Sequence, residues 1–306
     1  MGKVNLNYSV PCFLCGSIDT VTTEYLGFNS FDLKRNFAYA IPTLIADLLC
    51  SISRRFSLAY YPVSINKKYF SRLAVYCRNC LTGSCHPNLS KEMLANYYQK
   101  FYWNNRDFID GQHVALDDRP NDLQLALTYD RIAWIDKFLP RVESMIDFGG
   151  GDCAAAFTYR KRMGVQTVHV VDPSVRASAL AVEYGVGYSE DLRQAPVVDL
   201  IYSAHSIEHV PDFIESIREL LTKVQVGGYF FFETPNIGDM EIFKSLCHTP
   251  HTFMLSARSF QFLQKIFPVK IIGIECCGPA WQKNRKTIKS VAKADLRVLL
   301  QHVSNV

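Results

Sequence analysis

Past Pro140 the chain alternates short apolar runs with amphipathic stretches. Met145–Phe148, Val168–Asp172, Val197–Tyr202, Gly228–Glu233 and Val269–Cys276 have the length and the β-branched or aromatic content of strands. Ala154–Met163, Ser174–Tyr184, Pro211–Lys223 and Ala257–Phe267 carry helical spacing, the third with proline in its first turn, and Asp295–Val303 is a last apolar run. Strands and helices in strict alternation predict an α/β fold, a parallel sheet covered by helices on both faces. Ligands of such sheets sit at the carboxyl ends of the strands, near the point where strand order reverses.

Upstream the period is helical. Ser90 is an N-cap for a helix carrying Leu94, Tyr97, Tyr98, Phe101 and Tyr102, and Asp122–Phe138 places Leu123, Leu127, Ile132, Ile135 and Phe138 on one face before Pro140 ends it. The polar stretch Asp107–Asn121 reads as a linker. The expected organisation is a front unit over 1–90, a helical linker over 91–121 and an α/β domain over 122–306. At roughly 150 residues per domain, 306 residues fit that division.

Composition narrows the class without naming it. An apolar share of 48% with 20% charged residues is that of a globular chain and excludes a disordered one. A net charge of +4 is too mild for a dedicated nucleic-acid binder and leaves room for an anionic small molecule. No apolar stretch is long enough for a membrane-spanning helix, and the first residues lack the apolar core of a signal peptide. The expectation is a cytoplasmic protein, in which the cysteines are thiols, metal ligands or catalytic groups rather than disulfides.

Four of those cysteines form two C-x-x-C pairs, Cys12 with Cys15 and Cys77 with Cys80. Two residues between ligands let one tight turn aim both sulfurs at a single ion, and two such knuckles complete the tetrahedral thiolate shell that zinc prefers. Cys85 and His86 lie close enough to substitute for one of the four, and buried free thiols are the plain alternative. A redox pair fits less well, since Cys12 does not follow a strand in a βαβ pattern. Four thiolates leave no open coordination position, so the expected role is structural.

Between the knuckles, Glu24–Leu73 holds seven basic residues against three acids, together with ten aromatic side chains. That composition suits a small cap packed on the main domain, or an element facing a membrane surface or an anionic, phosphate-bearing ligand.

The chemistry concentrates at the carboxyl ends of the strands. Gly149, Gly151 and Ala154 fit G-x-G-x-x-A after the first strand, and Asp172 closes the second about 20 residues later. Such glycines let backbone approach a ligand closely, and the carboxylate accepts from ribose hydroxyls. The pattern serves any adenosyl cofactor, nicotinamide dinucleotides included. Asp147, two residues before Gly149, holds the amino group of a cationic ligand or orders the loop, and it would repel a pyrophosphate.

In that order along the chain, Met145–Asp152 resembles motif I of the class I S-adenosylmethionine-dependent methyltransferases. Val170–Pro173 resembles their acidic ribose loop, Ser203–Asp212 their segment after the fourth strand with its Glu208-His209-Val210 core, and Gly227–Asn236 the following strand and loop. With the two knuckles and Leu94–Trp103 in front, the chain looks like the zinc-binding members that act on sugars and other small metabolites. The resemblance implies a Rossmann-like seven-stranded sheet behind a small zinc-binding domain. It implies S-adenosylmethionine bound by Asp147, Gly149, Gly150, Gly151, Asp172, Pro173, Ser203 and Ala204, with Asp191 against adenine, and structural zinc on Cys12, Cys15, Cys77 and Cys80. The acceptor it implies is a small molecule, a saccharide or sugar nucleotide, without specific nucleic-acid binding. The chain departs from the pattern in three places. Cys153 replaces a glycine, the long insert splits the knuckles, and the extra C-terminal domain of the sugar C-methyltransferases is missing. The last departure favours oxygen or nitrogen as the acceptor atom.

A hydroxyl acceptor needs a base, and three histidines are placed for it. His205 and His209 follow the fourth strand, and His251 follows the fifth, where it resembles a substrate-facing histidine. Histidine titrates near neutrality, so any of the three can take a proton, and Glu208 reads as a structural or cofactor-side group. The competing functions are a nicotinamide-dependent oxidoreductase, a non-catalytic binding module on a methyltransferase fold, and an RNA methyltransferase.

Overall fold

The computed structural model describes residues 10–26, 71–86, 88, 90–92, 94, 120, 122–139, 141–237, 251–277 and 295–304. The helix expected from Ser90 is described only at its start, where Leu94 N donates to Ser90 O at 2.9 Å. The rest of it, the expected linker Asp107–Asn121 apart from Pro120, and most of the basic, aromatic insert lie outside the described residues.

The described elements run as follows. The front holds β1 (Thr20–Leu26), β2 (Ser71–Cys77) and β3 (Gly83–His86). The first half of the α/β unit holds α1 (Asp122–Ile135), β4 (Ser144–Phe148), α2 (Ala154–Phe157), β5 (Thr167–Val171), α3 (Val175–Tyr184), β6 (Gly187–Ser189) and β7 (Val198–Ala204). Its second half holds α4 (Phe213–Leu221), β8 (Val224–Pro235), β9 (Phe253–Met254), α5 (Ala257–Ile266), β10 (Val269–Cys277) and β11 (Asp295–His302).

Seven strands make the main sheet in the order β10-β11-β8-β7-β4-β5-β6. The five from β8 to β6 pair in parallel, while β11 runs antiparallel between β8 and β10. This is the Rossmann-like methyltransferase sheet. Alternate residues of each strand point to opposite faces, and the core divides accordingly. Phe230 and Phe232 of β8, Ile201 of β7 and Val298 and Leu300 of β11 pack with Phe213, Ile217, Leu220, Phe260 and Leu263 of α4 and α5. Phe231, Leu200, Tyr202 and Leu299, one residue out of step, pack with Ile132, Trp134 and Ile135 of α1 and Leu180 of α3. Strands buried on both sides have no polar face to alternate with, which is why they read as unbroken apolar runs.

The helix boundaries follow from caps. Ser174 accepts from Ala177 N at 3.2 Å to start α3, and Gly185 ends it at φ 64°. Asp212 caps α4 by accepting from Glu215 N at 3.0 Å, so Pro211 stands outside the helix rather than in its first turn. Ser256 and Ser259 form a capping box on α5. The single helix expected from Ala154 to Met163 is instead α2 followed by a π-helical turn over Thr158–Arg162. Thr158 Oγ1 donates to Ala154 O at 2.8 Å where the winding changes. A side chain competing for a helix carbonyl loosens the ladder locally.

The front strands form an antiparallel sheet, β1-β2-β3-β9, which the hydrophobic pattern did not predict. Its fourth strand comes from far along the chain: Gly83 pairs with Met254 and Ser84 with Phe253. Cys85 N continues the ladder by donating to Thr252 O at 2.9 Å. The knuckles dock on the α4–α5 side of the main sheet. Phe13 sets its ring 4.7 Å from that of Phe253 and 5.8 Å from that of Phe213, and Cys12, Leu14, Cys77 and Cys80 belong to the same core as those helices.

Candidate active site at the strand edge

The strand order reverses between β4 and β7, and the loops that leave their carboxyl ends meet there. Gly149 N donates to Val171 O at 2.8 Å, which turns the chain sharply out of β4. Gly149 has φ 71°, and a side chain on it would collide with Ser206 in the loop after β7. A Cβ on Gly150 would sit 2.9 Å from the Asp147 carboxyl carbon and 3.0 Å from Val170. Both positions therefore require glycine, one for conformation and contact, the other for contact alone. Cys153 occupies the position where a further glycine was expected. It holds φ 55°, so the backbone there keeps the glycine-like conformation despite the side chain. Its thiol is buried among the residues under α3, which pushes its pKa above the ordinary thiol range.

Two acids hold this loop. Asp172, at the end of β5, accepts from Gly151 N at 3.0 Å and from Ser174 N at 2.8 Å. Asp147 accepts from Ala156 N at 3.1 Å and is 4% exposed. Burial pushes its carboxyl up to about 7, with Asp152 and Asp172 adding repulsion that the Ala156 amide only partly offsets. Of the two roles open to Asp147, ordering the loop is the one visible as a bond. Asp152 accepts from Gln124 at 2.5 Å and thereby ties α1 to the loop.

The other expected cofactor residues are distributed unevenly. Pro173 is exposed beside Asp172, and Ala204 is half-buried at the end of β7. Ser203 is fully buried within β7. Asp191 lies past β6 with Oδ2 paired to Arg193 at 2.6 Å and to Lys91 at 3.1 Å and Oδ1 accepting from Arg193 Nε at 3.0 Å, and Arg193 first, then Lys91, hold it well below the usual carboxylate range.

All three histidines reach this edge. His205, at φ 54°, points Nδ1 at Glu208 across 3.5 Å and Nε2 at Glu233 across 3.3 Å. Burial disfavours its charge, but the two carboxylates outweigh it and raise the imidazolium to about 10. With both nitrogens facing carboxylates, His205 is held toward its charged form, which works against its use as a base. The rings of His209 and His251 stack at 5.1 Å and 20°. Donor atoms of Glu208, His209 and His251 all lie within 4.8 Å of one another, and His209 Nε2 is 3.9 Å from Glu208 Oε1. Glu208 is 1% exposed. Burial opposes its charge, and His209 and His205 reverse that and lower its pKa. Thr252 N donates to Glu208 O at 2.9 Å, which fixes the segment carrying His251 against the segment carrying Glu208.

Sequence reasoning missed the ionic group beneath these histidines. Glu233 of β8 takes Arg131 of α1 on one oxygen and Arg297 of β11 on the other, and Arg297 also reaches Asp130 at 2.8 Å. The signal was present as a lone carboxylate closing the apolar run of β8, but its partners lie 102 and 64 residues away. Asp295 sits 8% exposed at the start of β11, and burial pushes its carboxyl up to about 6.

The four knuckle cysteines converge in front. Cys12 Sγ is 3.4 Å from Cys80 Sγ, Cys15 Sγ is 3.6 Å from Cys77 Sγ, and all four sulfurs lie within 4.8 Å of one another. Thiolates about 2.3 Å from a tetrahedral zinc stand about 3.8 Å apart, so the residues fit that ion. Cys85 does not join them. It is buried with Ala74, Tyr76, Ile237 and Met254, and His86 pairs with Ser84 at 2.9 Å.

Residues 119–289 match the family model described as a methyltransferase domain. No curated protein matches the chain. Among solved structures, the plantazolicin methyltransferase BpumL in complex with SAH is similar at 14% identity, over 69% of this chain and 94% of that one, with a TM-score of 0.46. A candidate S-adenosylmethionine dependent methyltransferase from Listeria monocytogenes is similar at 13% identity, over 57% of this chain and 99% of that one, with a TM-score of 0.45. A candidate methyltransferase from Bacillus halodurans gives 12% identity, 57% and 100% coverage and a TM-score of 0.45. No helix of the described residues is long and apolar enough to cross a membrane. The family match spans more than half of the chain and takes in the glycine loop, Asp172 and the three histidines, which sets aside the oxidoreductase alternative: the chain belongs to the methyltransferase-domain family and is an S-adenosylmethionine-dependent methyltransferase.

Proposed function

We propose that this enzyme methylates an oxygen or nitrogen atom of a small-molecule acceptor, of which a saccharide or sugar nucleotide is the class implied by the sequence resemblance. The observation that supports this reading is the convergence at one sheet edge of two functional sets. The glycine loop, with Asp147 and Asp172, comes from β4 and β5, and Glu208, His209 and His251 come from the segments after β7 and before β9. In this reading the loop and Asp172 hold the adenosyl group, and Asp147 faces the cationic end of the methyl donor. The acceptor loses its proton beside the Glu208–His209–His251 cluster, while alignment of acceptor and methyl group supplies much of the acceleration. The cysteine knuckles hold one zinc as a structural ion and brace the front sheet against β9, which follows the segment that carries His251. The enzyme works in the cytoplasm.

Titration calorimetry of the full chain with S-adenosylmethionine, S-adenosylhomocysteine and NAD tests the cofactor part: binding of the first two without the third is expected. Transfer of labelled methyl from S-adenosylmethionine onto fractionated cell extract tests the acceptor part. Label in the small-molecule saccharide fraction is expected, and label confined to protein or RNA would overturn the acceptor class.

A further inference from the structure

The three imidazole and carboxylate groups after β7 and before β9 differ from the neighbouring ionic group in how their charge is met. Glu233 has a guanidinium on each oxygen. Glu208 is as deeply buried, yet neither of its oxygens has a hydrogen-bonding partner in bonding geometry among the described residues, and no guanidinium or ammonium is paired with it there. Its neighbours are imidazole nitrogens, 3.5 Å away on His205 and 3.9 Å away on His209. A carboxylate removed from water needs a counter-charge and bonds to its lone pairs. His205 and His209 offset the charge, but at these distances neither imidazole completes a hydrogen bond, and both carboxylate oxygens are left without a donor.

We infer that Glu208, His209 and His251 form a binding site for a divalent cation, and that the cation activates a hydroxyl of the methyl acceptor. One carboxylate oxygen and two imidazole nitrogens are a donor set suited to a first-row divalent metal, with bonds of about 2.0–2.2 Å. Their donor atoms already lie within 4.8 Å of one another, so a shift of about an ångström closes them on an ion. Three protein ligands leave positions open, unlike the four thiolates in front. The site is tied to the segment after β7 by the Thr252-to-Glu208 backbone bond and lies beside the glycine loop, where Ser206, two residues before Glu208, donates to Gly149 O at 3.2 Å.

The inference rests on the methyltransferase reading of this edge and gives its proton a path. A hydroxyl bound to a divalent cation ionises near neutral pH, as metal-bound water does. The acceptor R–OH then releases its proton to solvent and becomes a metal-held alkoxide. Its oxygen forms a bond to the methyl carbon of S-adenosylmethionine as the carbon–sulfur bond breaks, and that electron pair stays on sulfur. The products are R–OCH3, neutral S-adenosylhomocysteine and one proton. His209 and His251 act as ligands in this scheme, and neither takes the proton itself. A vicinal diol, such as a sugar ring offers, would fill two open positions at once.

Cobalt distinguishes this site from the cysteines, because only thiolate ligation gives an intense sulfur-to-metal charge-transfer band. The full chain, stripped by chelator and titrated with Co2+, is expected to bind one equivalent without that band, whatever the cysteines bind. Glu208→Gln and His251→Asn should each abolish this equivalent and leave any thiolate band in place. His209→Gln, at a less buried position, provides the same reading if the other variants do not fold. Wild-type protein whose cobalt is entirely thiolate-bound, or variants that retain the second equivalent, would overturn the inference. Calorimetry with S-adenosylmethionine on the same samples separates the two levels. Cofactor binding without the extra metal sinks the cation site alone, and absence of cofactor binding sinks the methyltransferase reading while the cobalt count still stands by itself.

Discussion

Arg131 and Arg297 hold Glu233 from two sides, Nε of Arg131 on one carboxylate oxygen at 2.7 Å and Nε of Arg297 on the other at 2.6 Å. The two arginines come from a helix and from the penultimate strand of the sheet edge, so one buried acid joins α1, β8 and β11. His205 adds an imidazole nitrogen at 3.3 Å.

Replacing that acid should be costly. Glu233→Gln keeps the shape but takes the counter-charge from buried Arg131 and leaves Arg297 only Asp130, and the expected loss is about 3–5 kcal/mol. Urea unfolding of the two proteins measures it through the midpoint at constant slope. A loss under about 1 kcal/mol would mean that the arginines find water or other partners.

Asp147 predicts a pH effect of definite sign. Its folded pKa is raised to about 7, so between about pH 4 and 7 the folded protein holds a proton that the unfolded chain has released. The stability this group contributes is complete below that window and is lost as pH rises through it, by at most about 1.4 kcal/mol per unit. Asp147→Asn should remove this slope. The difference in unfolding free energy between variant and wild type, followed from pH 4 to pH 8, should favour the variant increasingly up to neutrality. A difference that does not change with pH would place the Asp147 carboxyl in its ordinary range.

Asp172 is expected to matter for the methyl donor more than for folding. Asp172→Asn retains one acceptor oxygen for the loop amides but loses the charge that would receive ribose hydroxyls. S-adenosylmethionine affinity should fall by about 1–3 kcal/mol, roughly 5- to 150-fold. Equal affinities by calorimetry would show that Asp172 serves only Gly151 and Ser174.

For the front sheet, elemental analysis of protein purified without chelator should find zinc that is lost in Cys77→Ser. Amide exchange at Tyr76 and Ser84 should accelerate in that variant, because binding and folding of such sites are linked. Slow exchange in a zinc-free variant would show that strand pairing and Phe13 suffice without the ion.

The parts of the fold that could be read from the sequence are those with local signatures. The main strands announced themselves as apolar runs because both faces are covered, and Gly149–Gly151 and Asp172 occur at fixed offsets from strand ends. Long-range pairings left no such trace. β9 is two residues long and has no period, and its partner β3 is too short to show one. The Arg131–Glu233–Arg297 group joins positions more than 60 residues apart. The π-helical turn depends on one threonine that helical spacing counts as neutral. His205 was expected at the edge from its place after the fourth strand, but only coordinates show that it faces two carboxylates, one of them on β8.

The pairing of β3 with β9 also bears on the order in which the molecule is made. Synthesis runs from the N-terminus, and segments fold as they emerge. Both cysteine pairs are available early, on β2 and on the turn before β1, yet β3 remains an open edge until Phe253 and Met254 have been added. By then β4 to β8, the parallel core of the methyltransferase sheet, have all left the ribosome. The cysteine-bearing sheet is thus begun before that parallel core and completed after it. An exposed strand edge invites pairing with other chains while it waits. Newborn chains short of metal should therefore aggregate through the front of the protein, even though the catalytic sheet behind it has the sequence to fold.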